Sequence, residues 1–172
     1  MMLMTLRQIE HVLAPWQSAY SNSKVISTGV TTVHLVALLF GGGLAVAADR
    51  GTLRALRAGA EERARQLREL HATHRPVLIA LWCLFVSGVL QAAADVKTFA
   101  TSPAFYIKLG LVALLVVNGG VLTLTEMALG RADTSAGTEQ SSLWSRLRTS
   151  TYCSVALWTA TLIAGVVLQN AS

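Results

Sequence analysis

One histidine, His34, lies inside a long apolar stretch of the sequence. The segment TTVHLVALLFGGGLAVAADRG covers residues 31–51, and no Asp, Glu, Lys or Arg occurs from Val25 to Ala48. An imidazole can bind a metal ion or haem iron, relay a proton, or donate a hydrogen bond to a neighbouring helix. Ionisable side chains are rare in such stretches, and they indicate a functional site by default.

Further polar residues are predicted at the same depth as His34. With about 1.5 Å of rise per helical residue, the centres of four apolar stretches place His34, Ser87, Asn118 and Thr159 near one level, with Thr161 close by. Polar side chains at the centre of a bilayer almost always face the interior of a bundle. The pattern therefore predicts a shared polar core, and its four level residues are the candidate cofactor-binding residues.

Two interpretations of this core are open. In the first, a neutral His34 donates a hydrogen bond to Asn118 or Ser87, and the network only fixes the register of the helices. Such bonds between membrane helices average about 0.6 kcal/mol, so they specify packing more than they stabilise it. In the second, His34 binds haem b or a metal ion, or relays protons beside a quinone site.

The motif HATHR suggests a separate metal site. His71 and His74 are three residues apart and share a helix face, and Asp49 ends the first apolar stretch on the same side of the membrane. Two imidazoles and a carboxylate can hold copper, zinc or iron, and the start of an interfacial helix is the alternative. His34, the other candidate metal ligand, lies about 20 Å from that side, so it should not share one iron with His71 or His74.

Four stretches are long enough to cross a membrane. They cover about residues 25–48, 76–95, 105–127 and 149–170, and a spanning helix needs roughly 20 residues. Of the 172 residues, 53% are hydrophobic and 13% are charged. In lipid every backbone polar group must be satisfied within its own segment, which requires helices. We therefore expect an all-α fold, a four-helix integral membrane bundle that forms a single domain over residues 1–172.

Two amphipathic segments accompany the first span. Residues 3–20 carry apolar side chains at helical spacing and include Trp16, which predicts a short interfacial helix that ends near Pro15. Residues 53–76 also repeat an apolar side chain every three or four positions, with Glu and Arg four residues apart on the wet side. They predict a separate cytoplasmic helix between spans 1 and 2, which either lies on the surface or docks an anionic lipid or a partner.

The arginines predict how the chain is oriented. Most of them lie between spans 1 and 2 and between spans 3 and 4. By the positive-inside rule we expect both segments to be cytoplasmic and both termini to lie outside. These arginines account for most of the formal charge of +5, so no nucleic-acid partner is indicated. At the cytoplasmic end of span 3, we expect Glu126 to pair with Arg50 or Arg131.

Several short motifs together resemble a known group of proteins. Span 1 contains HLVALLFGGG and ends in Asp49 and Arg50, span 2 contains a Ser-Gly pair at Ser87, and FYIKL opens span 3. Over roughly residues 8–128 this is similar to a group of small uncharacterised bacterial four-span inner-membrane proteins, a domain of unknown function distantly similar to CopD-type copper-resistance proteins.

The resemblance implies a four-helix bundle with His34, Asp49, Lys108 and Asn118 as signature positions. Its CopD-like part implies copper handling. The sequence lacks the methionine-rich and histidine-rich outer segments that would support copper handling.

Three functional hypotheses follow. The leading one is a small membrane subunit of redox or respiratory electron transfer that binds haem b or quinone near His34. The alternative is a non-catalytic structural or assembly subunit of a membrane complex, and the third is transport of copper or another small solute. The expected partners are the lipid bilayer and either other membrane subunits or further copies of the chain. No nucleotide loop or nucleophile elbow occurs, so we expect no catalytic activity from the chain on its own.

Overall fold

A computed structural model describes residues 2–131 and 137–171, and within them it contains helices and no strands. The helices in chain order are α1 (Met2–Asn22), α2 (Lys24–Ala55), α3 (Ala60–Ala94), α4 (Val96–Thr101), α5 (Pro103–Arg131) and α6 (Gly137–Ala171). Helices α2, α3, α5 and α6 are long and apolar enough to cross a membrane. The predicted all-α four-helix membrane bundle is therefore confirmed.

The four spanning helices pack as two hairpins. Helix α2 packs along α3, α5 packs along α6, and contacts between α2 and α6 join the two pairs. Helices α3 and α5 approach each other less closely, and a hydrogen bond of 2.8 Å between Thr123 Oγ1 and His74 Nε2 connects them. The side of the bundle between α3 and α5 is thus packed more loosely than the sides formed by the two hairpins.

Glycine allows α2 to approach its neighbours closely. A Cβ atom added at Gly41 would lie 2.7 Å from the Cβ atom of Ala80 on α3, and one at Gly42 would lie 3.2 Å from Cε3 of Trp158 on α6. Gly43 has no such neighbour within 4 Å. Small residues commonly mark close helix contacts in membranes, and here two of the three consecutive glycines make them.

A buried glutamine links α2 to α3 near their turn. Gln66 Nε2 donates to the Ala48 carbonyl oxygen at 3.2 Å and to Thr52 Oγ1 at 3.3 Å. Gly51 makes room for it, because a Cβ atom there would lie 2.6 Å from Gln66 Oε1. The hairpin is thereby fixed at the end of the bundle that bears most of the arginines, which we call the arginine-rich end.

Two predicted helix boundaries are wrong because the helices continue through proline. The segment predicted as a separate cytoplasmic helix and span 2 form one helix, α3, with Pro76 inside it. Likewise α1 continues past Pro15 to Asn22. An interior proline removes one backbone donor and leaves the carbonyl four residues earlier without a partner. Those residues, Ala72 and His11, are exposed, so solvent can reach the helix where the bond is missing.

A hydrophobic core lies at the arginine-rich end. It contains Leu129, Trp144 and the fully buried Leu147, and leucines from α3, α5, α6 and the end of α2 surround it. The Arg63 guanidinium lies 5.3 Å from the centroid of the Trp144 ring and donates to the Leu56 carbonyl oxygen at 3.0 Å. This core packs α6 against the hairpin formed by α2 and α3.

Helix α1 docks at the opposite end of the bundle, which we call the α1 end. Trp16 Nε1 donates to the Leu90 carbonyl oxygen at 2.9 Å, and Gln17 Nε2 donates to the Ala93 carbonyl oxygen at 3.3 Å. The last carbonyls of a helix have no partner within the helix. Since α3 ends at Ala94, Gln17 supplies a donor to one of these carbonyls, and Trp16 adds a second hydrogen bond one turn earlier, so α1 is tied to the bundle.

Candidate functional site

The interior faces of the spanning helices carry ionisable residues at two levels. Toward the α1 end lie His34, Ser87 and Lys108, which we call the His34 site. Toward the arginine-rich end lies a cavity with the polar lining residues Asp49, Thr73, His74, Glu126 and Ser154, which we call the Asp49 cavity. The two levels are separated by 15 residues of α2, or about 22 Å.

A hydrogen bond to Ser87 sets the tautomer of His34. His34 Nδ1 lies 2.9 Å from Ser87 Oγ. The Ser87 hydroxyl donates within its own helix, to the carbonyl oxygens of Cys83 at 2.6 Å and Leu84 at 3.2 Å. Because the Ser87 hydroxyl hydrogen points to these carbonyls, the hydroxyl oxygen accepts a hydrogen bond from the His34 ring. In the neutral imidazole the hydrogen is therefore on Nδ1. The lone pair of His34 is therefore on Nε2.

A lysine amine accompanies this imidazole. The Lys108 ammonium group is close enough to interact electrostatically with His34. A Cβ atom added at Gly165 would lie 3.5 Å from Lys108 Nζ, so the amine lies against α6. Within the described ranges, Lys108 forms no ion pair with a carboxylate. The His34 site thus combines an imidazole nitrogen that has a free lone pair with a cation that has no anionic partner among the described residues.

The structure brings Ser87 to His34 and places the other predicted core residues elsewhere. Asn118 Nδ2 donates to the Ser150 carbonyl oxygen at 3.0 Å and so links α5 to α6. Thr159 is exposed, and its hydroxyl donates to the Val155 carbonyl oxygen at 2.9 Å. Of the predicted shared core, the structure therefore joins His34 to Ser87 and, in span 4, buries Thr161 in place of Thr159.

Position around the helix explains the difference for Thr159. Residues two apart in a helix point about 200° away from each other, so Thr159 and Thr161 cannot both face the interior. Thr161 is the buried one, and its Oγ1 has no hydrogen-bond partner. Depth along the helix axis alone predicts Thr159 in the core, because depth does not specify which face of the helix a side chain occupies.

The Asp49 cavity has a volume of about 90 Å³ and is lined by all four spanning helices. Asp49 is only 4% exposed, and its Oδ2 atom has no hydrogen-bond partner. The Ser154 hydroxyl is within reach of the same carboxyl group. Glu126 lies close enough to Asp49 for the two carboxyl groups to interact electrostatically. Two acidic side chains therefore line the same cavity.

A histidine lines the same cavity and has a defined tautomer. His74 Nε2 lies 2.8 Å from Thr123 Oγ1, and the Thr123 hydroxyl donates to the Gly119 carbonyl oxygen at 2.9 Å. By the argument used for His34, the imidazole is the donor, so the Nε2 atom of His74 carries the hydrogen. The Nδ1 atom of His74 is then a proton acceptor.

The predicted metal ligands are not brought to one point. Asp49 and His74 line the Asp49 cavity, whereas His71 is exposed on α3 and His34 lies at the other level. In residues 2–131 and 137–171, no group of three or more His, Cys, Asp or Glu side chains is arranged to hold a metal ion. His71 shares a helix face with His74 only in part, since one step of three residues turns the chain by about 300°.

The expected ion pair of Glu126 is also absent from the described part of the chain. The ion pairs found there join Arg65 to Glu62 at 2.8 Å and to Glu69 at 3.6 Å. Glu126 instead faces the interior with Leu115, Gly119 and Leu122, which line the cavity on the same side of α5. That helical spacing is the sequence signal that would have placed Glu126 inside.

The chain matches no protein-family model, no curated protein and no solved structure. Function must therefore be inferred from the two sites. The His34 site presents an imidazole and an amine, whereas the Asp49 cavity presents two carboxyl groups and an imidazole. The two sites call for ligands of opposite charge.

Proposed function

We propose that this protein is a small subunit of a bacterial inner-membrane redox system and that the His34 site binds haem b or a quinone. The observation that carries the proposal is the orientation of the imidazole. His34 Nδ1 donates to Ser87 Oγ at 2.9 Å, which leaves the Nε2 lone pair for a ligand. Lys108 adds a positive charge beside it.

The chemistry of these residues fits either group. Histidines that ligate metals commonly donate their other ring N–H to a neighbouring acceptor, which fixes the ring and strengthens the ligand nitrogen. Lys108 would neutralise a haem propionate. For a quinone, His34 Nε2 would accept a hydrogen bond from a hydroxyl of the reduced form, and Lys108 would donate to a carbonyl oxygen of the oxidised form. Haem or quinone supplies the electron transfer, and His34 and Lys108 bind and orient it.

Visible spectroscopy tests the haem form of the proposal. Purified protein in mild detergent, titrated with haem b, should develop a saturable Soret band that His34→Ala removes. Ser87→Ala should keep the band but weaken haem binding about 10-fold or more, because the ring loses its orienting acceptor. His11→Ala, which changes an exposed histidine on α1, is the matched control and should bind haem like the wild type.

Quinone binding provides the second arm of the experiment. Protein that stays colourless should bind a short-chain quinone analogue, and both His34→Ala and Lys108→Met should weaken that binding about tenfold, the factor equivalent to one lost hydrogen bond of roughly 1.4 kcal/mol. Protein that binds neither group would overturn the redox proposal. The structural alternative would then stand, and the hydrogen bond between His34 and Ser87 would serve only to fix the register of α2 and α3.

We further infer that the arginine-rich end is cytoplasmic and that α1 lies outside, on the support of the positive-inside rule. In a variant without Cys83 and Cys153, single cysteines can be introduced by Ala14→Cys on α1 or Glu61→Cys on α3, both exposed positions. A membrane-impermeant thiol reagent should label the first in intact cells and the second only after the membrane is opened. The reverse pattern would show the opposite orientation.

A further inference from the structure

The Asp49 cavity has no part in the proposed redox site. Asp49 lines the cavity and is more than nine-tenths buried, and its Oδ2 atom has no hydrogen-bond partner. A buried carboxyl oxygen without a donor is costly, because it has lost its water and gained nothing in return. A proton on the Asp49 carboxyl group lowers this cost, because burial penalises the neutral form less than the carboxylate.

The cavity around Asp49 contains a second carboxyl group and no lysine or arginine among its lining residues. The titratable residues lining the cavity are Asp49 from α2, His74 from α3 and Glu126 from α5, whereas α6 contributes Ser154 and Trp158. Across the described ranges neither carboxyl group pairs with a lysine or arginine. Two carboxylates close together in a bundle disfavour each other's ionised form. The pair needs a compensating positive charge.

The geometry favours a proton over a metal ion as that charge. The described His, Cys, Asp and Glu side chains form no group of three that would surround a metal ion. A proton requires only one or two carboxyl oxygens. The cavity of about 90 Å³ has room for about three water molecules, which can carry protons between the groups.

We propose that the Asp49 cavity is a binding site for an exchangeable proton, which the carboxyl groups of Asp49 and Glu126 share. When the proton moves, one O–H bond breaks on one carboxyl group and one forms on the other, directly or through water. His74 is a further proton acceptor in the same lining. Asp49 and Glu126 lie near the arginine-rich end, whereas Leu115 and Trp158 line the cavity toward the His34 site. The proton therefore exchanges with the arginine-rich side, and this holds whether or not His34 binds a redox group.

Carbodiimide labelling tests the proposal directly. Dicyclohexylcarbodiimide is apolar and adds to protonated carboxyl groups in sites of low polarity. In wild-type protein in detergent, peptide mass analysis should find the adduct on Asp49 or Glu126, and its yield should fall at least fivefold from acid to alkaline pH. Glu61→Gln, which removes an exposed carboxyl group on α3, should leave this labelling unchanged.

If the two carboxyl groups share one proton, removal of either group should change the labelling of the other. Asp49→Asn should reduce labelling of Glu126 severalfold at a given pH, because the neighbouring negative charge that favours the protonated form is gone. Glu126→Gln should do the same to Asp49. The mapping and pH profile need only wild-type protein, so they remain decisive where a variant fails to fold. Absence of both adducts, labelling that does not vary with pH, or protection by Na⁺ at every pH would overturn the proposal.

Discussion

Replacement of Leu147 by alanine should lower the free energy of unfolding by about 3 kcal/mol, within the range for truncating a buried leucine. Leu147 is 0% exposed and packs with Leu129 and Trp144 at the arginine-rich end. The shortened side chain would leave a cavity among the ends of α5 and α6 and the leucines of α2 and α3. The loss can be measured by following helix content while the folded protein in mild detergent is titrated with a denaturing detergent.

A lipid-facing leucine provides the control for Leu147. Leu124 on α5 is 65% exposed, so its contacts in the membrane are with lipid tails. Lipid tails are as apolar as leucine, and they replace what the truncation removes. Leu124→Ala should therefore change the stability much less. Equal losses in the two variants would mean that the cluster around Leu147 does not hold this end of the bundle together.

Addition of one methyl group at Gly41 should destabilise the bundle by about 2 kcal/mol, as overpacking of a tight contact does. The new Cβ atom would lie 2.7 Å from the Cβ atom of Ala80, a separation that forces α2 away from α3. The same movement would stretch the hydrogen bond between His34 and Ser87, so Gly41→Ala should also weaken any ligand at the His34 site. The detergent titration and the haem or quinone titration report the two effects.

A compensating variant shows whether this contact is the cause. Ala80→Gly removes the Cβ atom that Gly41→Ala would meet, so the double variant should recover at least 1 kcal/mol relative to the sum of the single changes. Gly43→Ala adds the same methyl group where no atom lies within 4 Å, and it should be close to neutral. A Gly43 variant as unstable as the Gly41 variant would attribute the loss to glycine itself and not to the approach of the helices.

The spanning helices were predictable because the sequence of each segment alone identifies a membrane helix. Length and absence of charge suffice to identify them, and the tertiary fold does not alter that signal. The contact between His34 and Ser87 was within reach for a related reason. Both residues lie at similar depth on consecutive, antiparallel spans, so they meet where the two helices pack side by side.

The remaining site residues depended on information that one helix does not contain. Asn118 lies at the predicted depth but faces Ser150, because α5 is paired with α6 and not with α2. The position of Glu126 likewise depends on how the helices pack. Nearby arginines in the sequence suggested an ion pair, whereas the packing of four helices turned it toward Asp49. The free-energy cost of proline inside a helix predicts a boundary at Pro76. The structure accommodates Pro76 at an exposed position within a long, packed helix.

The continuity of α3 through Pro76 has a mechanical consequence. With 35 residues the helix is about 52 Å long, so it crosses the bilayer and extends beyond it as one rod. Gln66 fastens it to α2 on the arginine-rich side of Pro76, and Trp16 fastens its far end to α1. A partner that binds the charged part of α3 would therefore act on the same continuous helix that carries Ser87 inside the membrane. Because α3 is continuous through Pro76, a tilt of its charged part is expected to displace Ser87 inside the membrane.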